Sequence, residues 1–481
     1  MEITRWSLYN LLKVHKKGLK VMFSIKKKIQ GFVSAKVEEI IRRVDEDSKQ
    51  SFLEIEKDIS KVRDENRDLT SRLERQQSAT MDSINSVFRN SHEVGDTIVI
   101  AFLISNYSSL YTIKSLINKM MLDSRFDVHV FSIQSRLRPD EGFHTEQKTH
   151  EVLVQEKIPH VRLPFDVPGL ALLKKLNPDV IVRQSQWDND VQEHFTTPYL
   201  NFTKLVLIDY AIAAIVDSPT VGSEYLHETT DSPLARMAWR VYRSSIIDDL
   251  RVLKEDFAPD MKNRREVGSP KVREIIEAKP LWFRNTTNLK VFWTSHHSIT
   301  NDWISFGVFP KLYKQLLQFA RIHPEIDIVF SEHPSLVSRI AEGRAGIDMS
   351  DFDAWLGEWN QLDNTYVLTG TPDYVRYMKK SDVVITDGLS PLVEAQLLTK
   401  PIVFIENDWH VPFNDFGKRI ASGWHTVKVG ENAVYEAFEL ANEINLIGDD
   451  LADAQKNNAQ NWLKNIDSED KIIADIGTLL Q

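Results

Sequence analysis

Two series of short apolar runs, each separated by helical segments, constrain this sequence more than any other feature. The first series begins with DTIVIAFLI at residues 96–104 and FDVHVFSI at 126–133. The second begins with LKVFWTS at 289–295 and IDIVFSEHP at 326–334. Buried runs of Val, Ile and Leu that alternate with helices are typical of parallel sheets covered on both faces. The sequence therefore predicts an α/β fold with two doubly wound, Rossmann-like domains.

The two series also set the expected domain boundaries. We expect an N-terminal Rossmann-like domain at residues 96–275, a C-terminal Rossmann-like domain at 285–430, and helices from 431 to 481. Open parallel sheets bind ligands at the carboxyl ends of their strands. A cleft between the two domains is therefore the predicted ligand site.

The residues before the first strand have a different composition. Residues 1–31 mix bulky apolar side chains with Lys and Arg, a pattern that favours a helix on an anionic membrane surface over a solvated lead-in. Residues 32–90 contain no Gly or Pro, and apolar residues from Phe52 to Leu73 alternate spacings of three and four, with Asn66 in the seam. This heptad predicts a coiled coil and a homo-oligomer. The alternative is one amphipathic helix packed on the globular part.

Charge and composition exclude several function classes. The net charge of −10 over 481 residues argues against a general nucleic-acid binder. The absence of Cys excludes disulfides, thiolate zinc sites and cysteine nucleophiles. No apolar run approaches the ~20 residues that span a bilayer, and the start lacks a signal-peptide pattern. We expect a cytoplasmic protein, peripheral to the inner face of the plasma membrane, with no nucleic-acid partner.

Polar residues follow three strands of the second series directly. They are Ser295, His296 and His297 after the first strand, Glu332 and His333 after the second, and Asp387, Gly388 and Ser390 after a later one. In a parallel sheet these ends share one edge, where converging polar groups cost free energy unless they serve a ligand or each other. A single histidine there could simply cap a backbone group, but three such ends favour a functional site.

A metal site is the alternative interpretation of these residues. His296, His297, His333 and Asp387 are of the types that bind zinc or manganese. Adjacent residues at a strand point to opposite sides, however, so two neighbouring histidines are poorly placed to bind one ion. We predict no protein-held metal.

The stretch SDVVITDGLSPLVEAQLLTKPIVFIEND, residues 381–408, predicts an anion site. Ser390 followed by Pro391 is a favourable helix start, and we expect a helix at 391–398. Helix N-termini offer free N–H groups and a positive dipole end to phosphates. A diphosphate would be held by Ser390 and the neighbouring amides, and Glu394 could accept a hydrogen bond from a nucleotide or polyol hydroxyl.

Taken in order, several segments resemble the CDP-glycerol glycerophosphotransferase family, the teichoic-acid and capsule polymer transferases. The resemblance covers about residues 96–427 and rests on PDVIVRQSQWDND, KLVLIDYAIAA, VGSPKV, VFWTSHHSI, FSEHPSL and SDVVITDGLSPLVEAQLLTKPIVFIE. It implies a GT-B fold, with the acceptor on the N-terminal domain and a nucleotide donor on the C-terminal domain. Glu332 departs from the family pattern, which has Lys, Arg or Pro before His-Pro.

The resemblance implies roles for individual residues. His296 and His333 match the active-site histidines, and Asp387, Gly388, Ser390 and Glu394 match the segment for the donor diphosphate and ribose. An imidazole can take a proton from an attacking hydroxyl or stabilise charge on a transferred phosphate. The donor would be a substrate, and no cofactor is implied.

On the N-terminal domain, polar residues that follow two strands are candidates for the acceptor side. Ser105 and Asn106 follow the first strand, and Trp187 and Asp188 follow a later one. Trp187 could stack on a sugar or polyol face. Each of the four could instead be part of the loop structure.

The leading hypothesis is a transferase that moves a glycerol-phosphate-like unit from a CDP-activated donor to a surface polymer or lipid-linked precursor. One alternative is a nucleotide-sugar glycosyltransferase of the same fold in capsule or cell-wall polysaccharide synthesis. The other is a non-catalytic scaffold in which the coiled coil carries the function.

Overall fold

Two parallel sheets form the larger part of the chain in the computed structural model, one from each predicted series of strands. The first sheet has seven strands in the order β3-β2-β1-β4-β5-β6-β7. Its strands are β1 (Ile98–Ile104), β2 (Phe126–Ile133), β3 (Val161–Leu163), β4 (Val180–Arg183), β5 (Lys204–Ile208), β6 (Arg240–Arg243) and β7 (Arg264–Glu266).

The second sheet has six strands in the order β10-β9-β8-β11-β12-β13. They are β8 (Leu289–Ser295), β9 (Ile326–Glu332), β10 (Thr365–Leu368), β11 (Val383–Thr386), β12 (Ile402–Glu406) and β13 (His425–Lys428). Both sheets thus contain the doubly wound strand order 3-2-1-4-5-6 of a Rossmann domain. In each, strand order reverses between the first strand and the fourth.

The structure describes residues 27–28, 31–36, 57–63, 65–66, 69, 73, 80, 93–136, 145–216, 232–244, 261–299, 304–333, 335–343, 346–368 and 374–481. The chain divides into two units, residues 1–83 and 84–481, and both sheets belong to the second. In the first unit, residues 31–36 and 57–63 are helical. Most of the predicted basic segment and Phe52, at the start of the heptad pattern, lie outside the described residues.

Helices connect the strands and cover both faces of the two sheets. Before β8 they are α1 (Tyr107–Leu110), α2 (Lys114–Met121), α3 (Thr145–Gln155), α4 (Gly169–Leu176), α5 (Thr197–Leu200), α6 (Pro233–Met237) and α7 (Pro270–Glu277). After β8 they are α8 (Phe309–Ile322), α9 (Leu336–Ala341), α10 (Met349–Trp359), α11 (Tyr374–Lys380), α12 (Leu389–Leu397), α13 (Asp415–Ile420), α14 (Ala433–Ile447), α15 (Ala452–Leu463) and α16 (Ser468–Gly477).

Alternate residues of the central strands fill two cores on opposite faces of the second sheet. Val291 and Trp293 of β8 pack in the core that includes α8, α10 and α14. Phe292, between them, packs in the core that includes α12. Because both faces are covered, β8 and β9 are buried almost throughout. This is the reason that their sequences are nearly continuous apolar runs.

A segment of the first domain is embedded in the second. After β5, Ile212 and Ile215 enter the core shared by β8, β11 and α12. The Ile215 carbonyl accepts the N–H of Asn414 at 3.1 Å, and Asn414 Nδ2 donates to the Ala214 carbonyl at 3.0 Å. The two Rossmann-like domains are therefore held together by packing and by hydrogen bonds to backbone carbonyls, as well as by the chain.

Gly417→Ala is expected to disrupt this contact, because a methyl group on Gly417 would overlap the Ile215 carbonyl oxygen. Forcing extra atoms into a packed region costs about 1–3 kcal/mol. We expect the free energy of unfolding to fall by that amount, and the melting temperature to fall with it in thermal unfolding. The control is Gly357→Ala on an exposed turn of α10, where a methyl group meets nothing within 4 Å; it should stabilise the helix by about 0.5–1 kcal/mol. Equal effects of the two variants would contradict the interpretation.

The last helix returns to the first domain. Ile472 and Ile476 of α16 are buried in the core of the first sheet. On the same helix, Asp475 accepts from Arg240 Nε at 2.8 Å, and Glu469 accepts from Arg273 of α7 at 3.2 Å. The C-terminal helices therefore cross back over the domain boundary. None of the described helices combines the length and apolar character needed to cross a bilayer.

Candidate active site

The candidate site lies where the second sheet reverses its strand order, between β8 and β11. Ligands of open α/β sheets bind in the crevice at this point. His296 follows β8 and Asp387 follows β11, and the His296 N–H donates to Asp387 Oδ1 at 2.6 Å. The Val308 N–H donates to Oδ2 at 2.7 Å. Asp387 is buried. Its two hydrogen bonds connect both ends of the loop between β8 and α8 to the end of β11.

Three histidine rings form a stack at this edge. The ring centroids of His297 and His333 are 4.0 Å apart, those of His296 and His297 are 4.5 Å apart, and those of His296 and His333 are 5.6 Å apart. The expectation that His296 and His297 point to opposite sides was wrong. Both residues lie beyond the last residue of β8, where the strand alternation no longer applies. All three residues are partly exposed.

Hydrogen bonds assign the tautomers of two of these rings. The Ser298 N–H donates to His296 Nδ1 at 3.1 Å, and the Ser335 N–H donates to His333 Nδ1 at 3.1 Å. Because a backbone N–H can only donate, both Nδ1 atoms are acceptors, and each neutral ring carries its proton on Nε2. In the neutral form of His296 and His333, Nε2 is therefore the hydrogen-bond donor of the ring.

Burial sets the charge state of the ionisable groups at this edge. Burial, with a smaller effect of His297, holds the pKa of His296 well below its usual value. Burial also raises the pKa of Asp387 to about 7, against the effect of the backbone amides that donate to it. Burial raises the pKa of Glu332 to about 7. His296 itself is therefore mainly uncharged near neutral pH.

The helix predicted after Asp387 is present as α12 but begins earlier than expected. It starts at Leu389, so Gly388 is the N-cap residue and Ser390 lies inside the first turn. The prediction that Ser390 caps the helix was wrong. The Gly388 N–H donates to Thr386 Oγ1 at 2.8 Å, and this turn replaces a side-chain cap. Ser390 is exposed, at the carboxyl edge of the sheet.

Glu394, one turn further along α12, is part of a buried triad. Lys271 Nζ of α7 donates to Glu394 Oε1 at 2.5 Å, and the Tyr374 hydroxyl donates to Oε2 at 2.9 Å. Although burial opposes it, the charge of Glu394 and the nearby Tyr374 raise the pKa of Lys271 above its usual value. Both oxygens of the carboxylate proposed for a ligand hydroxyl thus have protein partners. The triad links α7, which also contacts the first domain, to the candidate donor domain.

The corresponding point of the first sheet is closed by protein hydrogen bonds. Ser109 Oγ donates to Gln184 Oε1 at 3.0 Å, and Gln184 Nε2 donates to the Ser109 carbonyl at 2.7 Å, across the ends of β1 and β4. Asn106 caps α1 by accepting the Ser108 N–H at 3.0 Å. Ser105, between β1 and this cap, is half-buried.

Asp188, in the loop after β4, also forms hydrogen bonds within the protein. Asp188 Oδ1 accepts from buried Arg183 at 2.7 Å and from the Thr197 N–H at 2.9 Å. Trp187 is half-buried, with its ring centroid 6.4 Å from that of Tyr210. Asp188 is therefore engaged in loop structure, whereas the aromatic pair forms a partly exposed surface on the N-terminal domain.

Sequence reasoning did not single out Lys271, Tyr374 or Ser298 as site residues. The segment VGSPKV contains Lys271, but a lysine after a Pro gives no sign that it will pair with a carboxylate 123 positions away. Gly307 was also missed. A methyl group there would lie 2.5 Å from the His296 carbonyl oxygen, so the loop around the histidines requires glycine.

Comparison with known proteins identifies the fold. No family model and no curated protein sequence matches the chain. The UDP-GlcNAc 2-epimerase of Neisseria meningitidis, bound to UDP-GlcNAc, superposes with a TM-score of 0.54 at 12% identity, over 79% of this chain and 99% of that one. The S. aureus MnaA–UDP structure gives 0.54 at 12%, over 80% and 97%.

A third solved structure, the UDP-GlcNAc 2-epimerase of Methanocaldococcus jannaschii, gives a TM-score of 0.50 at 12% identity, over 79% of this chain and 100% of that one. At this identity the likeness shows the fold alone. The two Rossmann-like domains form the GT-B fold, and the predicted fold class is confirmed.

Proposed function

We propose that this chain is a transferase that binds a nucleoside-diphosphate-activated donor at the carboxyl edge of the second sheet. The observation that carries the proposal is the stack of His296, His297 and His333 at the strand-order reversal of a GT-B domain. Partly exposed imidazoles at such a point are placed to contact a ligand in the cleft. The transferred unit would pass to a surface polymer or lipid-linked precursor on the side of the N-terminal domain.

The hydrogen-bond pattern favours charge stabilisation as the role of the two histidines. A ring whose Nδ1 already accepts a backbone N–H has no free lone pair with which to act as a base. Its Nε2–H can donate to a phosphoryl oxygen, where charge develops during transfer. A charged imidazolium would form an ion pair with the buried carboxyl groups of Asp387 or Glu332. A neutral imidazole avoids this pairing and keeps its Nε2–H for the ligand.

Two kinds of transferred unit fit this site, and they break different bonds. With a CDP-linked polyol, an acceptor hydroxyl oxygen attacks the polyol-bearing phosphorus, the P–O–P bridge breaks, and CMP leaves. With a nucleotide sugar, the acceptor oxygen attacks the anomeric carbon, the C–O bond breaks, and the nucleoside diphosphate leaves. The acceptor proton passes to solvent or a base in either case.

The sequence resemblance supports CDP-linked glycerol phosphate or a similar polyol phosphate as the first candidate. The second candidate is a UDP-sugar, because the fold neighbours include structures determined with UDP-GlcNAc and with UDP. Glu332 stands where the resembling family has Lys, Arg or Pro, and this departure also favours a donor other than CDP-glycerol. The released nucleotide, CMP or UDP, distinguishes the two.

A basic surface helix at residues 1–31 and a coiled coil at 32–90 would complete the function. The first would hold the enzyme at an anionic membrane surface near a lipid-linked acceptor. The second would set the number of active sites in one homo-oligomer. Both remain predictions from the sequence.

A thermal-shift panel of CDP, UDP and GDP tests the proposal. A ligand that binds only the folded state stabilises it, by about 2.7 kcal/mol at 100 times its Kd. We expect one of the three nucleotides to raise the melting temperature by several degrees, and the matching nucleoside without phosphates to raise it far less.

Three outcomes of the panel are informative. A shift confined to CDP supports polyol phosphate transfer, and a shift confined to UDP or GDP supports sugar transfer. No shift with any nucleotide, at ligand concentrations up to millimolar, contradicts the transferase proposal and favours the scaffold.

A further inference from the structure

Glu332 is a buried carboxyl group at the edge of the candidate donor site. It is the last residue of β9 and pairs in register with Ser295, the last residue of β8. The next residue, His333, donates its N–H to the Ser295 carbonyl at 3.2 Å. Glu332 is only 7% exposed. Glu332 therefore directly precedes His333, and its register partner Ser295 directly precedes His296.

Strand alternation places Glu332 on the face covered by α8. Phe330 and Ile328, two and four positions before it, both pack in the core that includes α8 and α10. The ring of Phe309, the first residue of α8, lies 5.0 Å from the ring of Phe330 between centroids. The N-terminal turn of α8, whose dipole favours negative ligands, is thus at the same edge as Glu332.

Glu332 differs from the other buried acids of this domain because, among the residues that the structure describes, it has no hydrogen-bond or ion-pair partner. Asp387 accepts two backbone N–H groups, and Glu394 has Lys271 and Tyr374. Burial without a partner is costly for a charged carboxylate. A bound ligand that forms a hydrogen bond with such a carboxyl group would remove this free-energy cost in the complex.

We propose that Glu332, in its protonated form, donates a hydrogen bond to a phosphoryl oxygen of the bound nucleoside diphosphate. This inference rests on the proposed function. It explains how an acid can occupy the position at which the resembling sequences have Lys, Arg or Pro, since a carboxylic acid is a donor whereas a carboxylate repels phosphate. Complex formation then takes up one proton from solvent whenever the free enzyme has Glu332 ionised.

The direction of the pH dependence follows from this scheme. The carboxyl group has a pKa of about 7 in the free enzyme because of burial. Below that pH it is protonated and ready to donate, and above it each pH unit should weaken nucleotide binding about tenfold. The other titratable and charged groups on the surrounding elements include His296, His297, His333, Asp387, Lys311 and Arg339.

A comparison of variants separates the contribution of Glu332 to the pH dependence of nucleotide binding from the contributions of those groups. The affinities of wild type and Glu332→Gln for CDP, UDP and GDP are measured calorimetrically from pH 6 to 9. For the nucleotide that binds, we expect the wild-type Kd to rise about tenfold per pH unit above pH 7 and the Gln variant, which donates at every pH, to show a flat profile. The control is Glu325→Gln, at the amino end of the same strand, which should retain the wild-type slope.

Proton uptake by the wild type provides a test that needs no variant. Calorimetry at pH 8 in two buffers of different ionisation enthalpy should show about one proton taken up per nucleotide bound, as expected from linkage. No uptake, or equal pH slopes in wild type and Glu332→Gln, would overturn the role of Glu332 while leaving the nucleotide site intact. If no nucleotide binds either protein at pH 6, the proposed function fails, and this inference with it.

Discussion

Replacing His296 with alanine is expected to lower turnover by about 10²–10⁴-fold, the range typical of a positioned proton-transfer or hydrogen-bonding group in an active site. The ring is partly exposed and its backbone N–H, which the substitution keeps, makes the bond to Asp387. The fold should therefore survive, with a melting temperature close to that of wild type. The measurement is the rate of CMP or UDP release from the donor identified by the nucleotide panel.

A second substitution distinguishes a donor from a base. The side-chain amide of His296→Gln can donate a hydrogen bond but is not basic. We expect this variant to retain clearly more activity than His296→Ala. As a control, His323→Ala, at the far end of α8, should turn over like wild type. Equal, complete loss in the Ala and Gln variants would assign His296 a proton-accepting role instead.

Lys271→Met is expected to cost about 3–5 kcal/mol of unfolding free energy, because it leaves the carboxylate of Glu394 buried without its cation. Glu394 is 1% exposed, and its ion pair with Lys271 spans 2.5 Å. Denaturant unfolding, followed by tryptophan fluorescence, measures the loss.

The matched control for Lys271 is a lysine on the surface. Lys418→Met removes an ion pair to Asp415 in which both side chains are largely exposed, and it should change stability by less than about 1 kcal/mol. The double variant Lys271→Met, Glu394→Gln should recover part of the loss, since a neutral amide can still accept from Tyr374. If Lys271→Met unfolds like the Lys418 variant, the triad does not hold the two elements together.

The strands that the sequence predicted well are those at the centre of each sheet. For β2 and β8, the predicted runs coincide with the observed strands, because residues buried on both faces must be apolar at nearly every position. The strands that were not predicted are β3, β6, β7 and β13, which lie towards the sheet edges. Sequences such as Arg264–Glu266 carry no apolar pattern, since one side of an edge strand faces solvent.

Part of the candidate site was also predictable. His296, His333 and Asp387 end three strands, and in a parallel sheet such ends meet at one edge. The structure brings all three together. The position of β8 between β9 and β11, which makes these residues neighbours, could not be predicted from the sequence. The sequence also did not indicate that Glu394 would form an ion pair with Lys271.

The order of apolar and polar residues along the chain was enough to determine two Rossmann-like domains and the residues at the ends of their strands. Burial, tautomers and partners were decided only by the tertiary structure. The reason is physical: a strand's periodicity depends on neighbours two to four positions away, whereas the charge state of Glu332 and the pairing of Lys271 depend on groups that are distant in sequence and close only in the folded molecule.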